Sequence, residues 1–115
     1  MVTFVESPLF TKQVHDYLTD TEYRVFQKYL AANPDIGNVV RGSGGVRKVR
    51  WSRRGTGKSG GVRVIYYFHN ESMPLYLLTL FAKNDRSNLS QSQRNELSDL
   101  TRILVQEWER KQNEQ

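Results

Sequence analysis

Three β-prone segments crowd the middle of this chain with only turn signals between them, and that spacing leaves little choice of fold. Residues 62–68 read Val-Arg-Val-Ile-Tyr-Tyr-Phe, residues 75–81 read Leu-Tyr-Leu-Leu-Thr-Leu-Phe, and residues 46–51 read Val-Arg-Lys-Val-Arg-Trp. Branched and aromatic side chains suit a pleated, half-buried surface. The links are His69-Asn70-Glu71-Ser72 on one side and a glycine-rich, basic loop over 52–61 on the other. Connections this short favour an antiparallel meander.

The flanks read as helices. Val2 to Val5 is a short β-prone run, after which Ser7-Pro8 supplies an N-cap followed by proline at the first helical position. Phe10, Val14, Tyr17 and Leu18 fall on one helical face. Thr19 with Glu22 spells a capping box for a second helix with the stripe Tyr23, Phe26 and Leu30, which Asn33-Pro34 and Gly37 stop. Gly42, Gly44 and Gly45 mark a turn into the first strand of the meander. Ser90 with Gln93 opens a last helix carrying Leu97, Leu100, Leu104 and Trp108, with a polar tail expected to fray from about residue 110. The predicted class is α+β: a small antiparallel sheet backed by helices in the order β-α-α-β-β-β-α, one domain spanning 1–115.

Composition excludes several chemistries. With no cysteine there are no disulfides or thiolate ligands, and His15 and His69 are too isolated for a zinc site, so neither metal nor cofactor is expected. No apolar run approaches membrane-helix length and the first residues lack a secretory pattern, so a cytoplasmic protein without membrane association is expected.

The net charge of +5 is unevenly placed. Residues 1–35 carry three bases against five acids and residues 85–115 five against six, whereas residues 36–84 hold nine bases against Glu71 alone. No acid occurs from 36 to 70. Once folded, such a block concentrates positive potential on one region and favours a polyanionic partner.

Alternation along a strand sharpens this. Lys48 and Arg50 share one face while Val49 and Trp51 take the other, and Arg63 shares a face with Ile65 and Tyr67, opposite Val62, Val64, Tyr66 and Phe68. If the two strands pair, Arg63 comes beside Lys48 and Arg50, and Lys83 with Arg86 follows the third strand. Cleavage of RNA through its own 2′-hydroxyl needs a proton path, stabilisation of charge on the phosphorane oxygens, and a proton for the leaving 5′-oxygen. An arginine fork holds two phosphate oxygens at once and a lysine serves as a point charge. The same cluster also fits a face that binds phosphate without breaking it.

At these residues a family resemblance enters. Arg47-Lys48-Val49-Arg50-Trp51, the basic loop, Gly61-Val62-Arg63-Val64-Ile65-Tyr66-Tyr67-Phe68 and Phe81-Ala82-Lys83-Asn84-Asp85-Arg86-Ser87 together resemble the core of RelE/ParE superfamily toxins, most of all the HigB branch. The resemblance implies the RelE-like microbial ribonuclease fold and a type II toxin that cleaves mRNA in the decoding site of the 30S subunit, in contact with ribosomal RNA. It further implies restraint by a helix-turn-helix antitoxin of the HigA type. Carried over by position, Lys48, Arg50, Arg63 and Lys83 become the catalytic set, and Arg47, Arg53, Arg54, Lys58, Tyr67 and Arg86 the RNA or ribosome contacts. Two positions depart from the RelE pattern: Asn84 stands where an arginine follows the lysine, and no tyrosine occurs near Leu89-Ser90.

Plainer readings compete at several points. Arg53, Arg54 and Lys58 also fit a solvated hairpin tip. Gly57-Lys58-Ser59 lacks the glycine a phosphate loop needs five residues earlier, where Ser52 stands, and precedes a strand instead of a helix. Trp51, Tyr66 and Trp108 have the spacing of core residues, leaving Tyr67 as the better base-stacking candidate, and His15 and His69 read as exposed bystanders. Alternative functions on the same scaffold are a ParE-like gyrase poison and a non-catalytic RNA-binding module.

Overall fold

A computed structural model describes residues 2–52, 61–82 and 88–114. Its elements run β1 (Phe4–Glu6), α1 (Pro8–Tyr17), α2 (Asp20–Ala32), β2 (Asn38–Val39), β3 (Arg47–Trp51), β4 (Val62–Tyr67), β5 (Leu75–Ala82) and α3 (Gln91–Asn113). The expected order is present with one addition, the two-residue strand β2. The sheet order is β1-β5-β4-β3-β2. From β2 to β5 neighbours are antiparallel, but β1 runs parallel to β5, pairing Phe4 with Leu75 and Glu6 with Leu77, so the sheet is mixed and not purely antiparallel.

The helix starts are built as the capping logic requires. Ser7 Oγ accepts from the Phe10 amide at 3.0 Å, and its own hydroxyl donates to the Leu78 carbonyl at 2.7 Å, tying α1 to the sheet. Both capping boxes close reciprocally, Thr19 with Glu22 and Ser90 with Gln93. Each satisfies amide donors that a helix start would otherwise leave open.

Helices cover both faces of the sheet. Phe10, Val14 and Leu18 of α1 with Tyr23, Phe26 and Leu30 of α2 pack on Val49, Val62, Val64, Tyr66, Leu75, Leu77 and Leu80. On the opposite face Val46, Ile65, Tyr67, Met73, Leu78 and Phe81 form a second cluster with Leu89 and, from α3, Leu97, Leu104, Val105 and Trp108. α3 therefore roofs much of the face on which the cations were placed. Ile65 and Tyr67 need that cover, since otherwise two large apolar residues beside Arg63 would face water. On α3 the inward stripe includes Thr101 while Leu100 is exposed, and the helix continues to Asn113, with Arg110 paired to both Glu107 and Glu114 near its end.

One register irregularity shapes the sheet. Ile65 pairs with Thr79 but Tyr66 with Leu77, so Leu78 is an extra residue on β5. Such a bulge bends and twists the strand that carries it. Among the described residues no helix is long and apolar enough to cross a membrane.

Candidate nucleic-acid interface

The β3–β4 register sets the site. Arg50 lies directly opposite Arg63, and Lys48 opposite Ile65. Residues directly opposed across an antiparallel pair point to the same face. The expected juxtaposition of Lys48, Arg50 and Arg63 is thus realised, at the end of the sheet face beyond the buried Ile65. Arg50 is exposed, and Lys48 and Arg63 are half-buried. Across β4 the row continues from Arg63 to the buried Phe81 of β5.

Two electrostatic facts stand out. Among the described residues, the ion pairs join His15 to Asp20, Arg102 to Asp99, and Arg110 to Glu107 and Glu114, so none of Lys48, Arg50 and Arg63 has a carboxylate partner. In addition, Nη1 of Arg63 is buried yet meets no hydrogen-bond acceptor among the described residues. Like charges directly opposed on neighbouring strands repel, and a buried donor without an acceptor costs its desolvation. An anion with several oxygens, as a phosphodiester provides, would offset the repulsion between the two guanidinium groups.

Other candidates are placed differently. Arg47 lies on the α2 side of the sheet, where its Nη1 donates to the carbonyls of Asp35 at 3.0 Å and Gly37 at 2.7 Å. It clamps the turn after α2. Tyr67 does share Arg63's face, but it is only 7% exposed and sits in the α3 cluster. Its ring lies beside His69 at 6.3 Å between centroids. His69 in turn contacts Trp108 edge-on at 6.0 Å, which makes it part of an aromatic stack on α3 although it is exposed. Lys83 and Arg86, like Arg53, Arg54 and Lys58, lie outside the described residues.

Trp51 packs between Phe26 and Tyr29, each at 5.3 Å between ring centroids, in keeping with a core role. Two residues escaped the sequence reading. Tyr29, one position off the buried stripe of α2, lines a shallow cleft with Arg50, Trp51 and Ser52. Arg94 on α3 reaches the Arg41 carbonyl at 3.5 Å, while its buried Nε has no acceptor among the described residues. The apolar groove between the starts of α1 and α3, lined by Leu9, Leu78, Leu97 and Leu100, has no base among the described residues that line it.

A family model described as the RelE toxin of the RelE / RelB toxin-antitoxin system matches residues 40–114. The matched stretch contains β3, β4, β5 and α3, and with them Lys48, Arg50 and Arg63.

Proposed function

The chain belongs to the RelE toxin family, and from that premise we propose that it is a ribosome-dependent endoribonuclease that arrests translation by cutting mRNA. The observation that carries this reading is the opposed pair Arg50 and Arg63, with no carboxylate partner among the described residues and one guanidinium nitrogen left without an acceptor. A scaffold has no use for that arrangement, whereas a phosphate-handling site does.

In the proposed reaction the 2′-oxygen of a ribose attacks the adjacent phosphorus and gives up its proton to solvent water. The bond to the 5′-oxygen breaks, leaving a 2′,3′-cyclic phosphate on one fragment and a hydroxyl on the other. Arg50 and Arg63 hold the non-bridging oxygens, whose negative charge grows as the fifth bond forms; electrostatic stabilisation placed in advance is the largest lever such a site has. Lys48, on the same face two residues before Arg50, adds its positive charge to the same site, and the departing oxygen takes its proton from the solvent. Lys83 is assigned to the same site through the resemblance, with Arg53, Arg54, Lys58 and Arg86 as contacts to message or ribosomal RNA. The partner is a cognate antitoxin of the HigA type, encoded beside the toxin, and the place of action is the 30S decoding site in the cytoplasm.

The test is induction of wild type and Arg63→Ala in a bacterium, with mapping of mRNA ends and measurement of DNA replication. Wild type is expected to create new mRNA ends while replication initially continues, and Arg63→Ala to lose cleavage by about 100-fold or more. Growth arrest undiminished in Arg63→Ala, with no new ends in either strain, would show that the ribonuclease reading is wrong.

A further inference from the structure

We infer that the cleft formed by Tyr29, Arg50, Trp51 and Ser52 is a nucleobase subsite, in which the base next to the phosphate held by Arg50 stacks on Tyr29. The inference rests on the ribonuclease reading and adds to it a residue on α2, outside the strands that carry the cations.

Four observations lead there. Tyr29 is 38% exposed although it is aromatic. Its ring packs against Trp51, which lines the same cleft, tilted at 40° with centroids 5.3 Å apart, so it is held in place and loses little freedom on binding a flat ligand. The cleft is shallow, about 340 Å³, and lies at the outer edge of β3, where Arg50 contributes to its wall although it alternates to the face opposite Trp51. Finally, β2 pairs only with Arg47 and Lys48 of β3, so it does not extend along the outer edge of β3 beside residues 50–52.

An exposed aromatic ring beside an arginine that has no carboxylate partner among the described residues is the chemistry that recognises single-stranded nucleic acid. The base stacks on the ring, and the adjoining phosphate meets the guanidinium. Double-stranded nucleic acid keeps its bases in the stack and could not use such a cleft. The charge context agrees, since Arg50 lies inside the acid-free stretch 36–70.

The experiment measures single-turnover cleavage of mRNA on programmed ribosomes, using messages with one abasic residue placed at each position around the cut. Wild type, Arg63→Ala, Tyr29→Leu and Tyr29→Phe are compared, each checked for an unchanged melting temperature. Tyr29→Leu is expected to slow cleavage of the intact message by about 5- to 150-fold, the range for losing one base–aromatic stack. Tyr29→Phe, which keeps the ring, is expected to cut within about twofold of wild type on the same stacking argument. At one abasic position wild type slows by a similar factor while Tyr29→Leu slows no further, because two changes that remove the same contact are not additive. Tyr29→Leu cutting as fast as wild type, or abasic penalties that simply add to its own at every position, overturns the subsite while leaving the ribonuclease reading intact. A wild type that cuts no ribosome-bound message, or an Arg63→Ala that cuts as well as wild type, overturns the reading beneath it.

Discussion

The two arginines facing each other across β3 and β4 set a conflict between stability and use. Cross-strand like charges cost about 0.2–1 kcal/mol, and nothing among the described residues neutralises Arg50 or Arg63. Replacing Arg50 by glutamine is therefore expected to raise the unfolding free energy by about 0.2–1 kcal/mol, while slowing mRNA cleavage by about 100-fold or more. Urea titration and a cleavage assay on the same preparation check both signs, and a variant that loses stability and activity together would place Arg50 in the scaffold. These residues were legible in the sequence because strand alternation and the acid-free stretch point to the same three cations. Arg47 was not, since its acceptors are carbonyls of the turn after α2 and that turn meets β3 only through the fold. The cover over Tyr67 was not legible for a related reason: alternation gives the face on which a ring lies, but not what is packed over it.

At the level of elements, the helix starts and the meander were readable because their signals are local: a hydroxyl three residues before its partner, or a turn between two β-prone runs. The parallel pairing of β1 with β5 joins residues about 70 apart in the chain, and no local signal encodes it. The seat of α3 lies between these cases. β4 is apolar on both faces apart from Arg63, the pattern of a strand covered on both sides, so the second helical layer was implied by Ile65 and Tyr67 though not by α3 itself. The seating is tight at Gly44, with φ +76°, where a Cβ would lie 2.5 Å from Thr101 Oγ1 and 3.0 Å from Ser98 Cα. Gly42 has the same φ, +76°, but its nearest neighbour would be 3.9 Å away. Gly44→Ala is thus expected to cost about 2–4 kcal/mol, combining left-handed strain with a displaced helix. Gly42→Ala, with the strain alone, should cost about 1 kcal/mol. Denaturant unfolding of the pair measures the difference; equal losses would mean that α3 does not press on Gly44.

Taken as a whole, the molecule lacks disulfides and relies on two packed layers, and buried tyrosines stitch those layers to the polypeptide around them. Tyr66 sits in the first core cluster, where its hydroxyl donates to the Pro34 carbonyl at 2.8 Å and accepts from the Gly37 amide at 2.9 Å. Burial pushes its pKa up from 10.0, against smaller opposing effects from the Gly37 amide and Arg47. Burial likewise raises Tyr67, and Tyr23 is raised by burial and by its hydrogen bond to Glu6. In each case the unfolded chain loses its phenolic proton first, near pH 10.0. The stabilisation from keeping these groups neutral is therefore fully present below that pH and drains away as pH rises towards the folded-state values. With one proton of difference per tyrosine the slope reaches at most about 1.4 kcal/mol per pH unit for each. Tyr66→Phe should be less stable than wild type at pH 8 by about 1–3 kcal/mol, having stranded the buried Gly37 amide and Pro34 carbonyl, yet it should lose stability more gently above pH 10 because one of the three titrating groups is gone. Urea midpoints measured from pH 8 to pH 11 test this directly. Parallel curves for the two proteins would mean that Tyr66 is no more protected from ionisation in the fold than in the open chain, and that the layer it joins is looser than its hydrogen bonds imply.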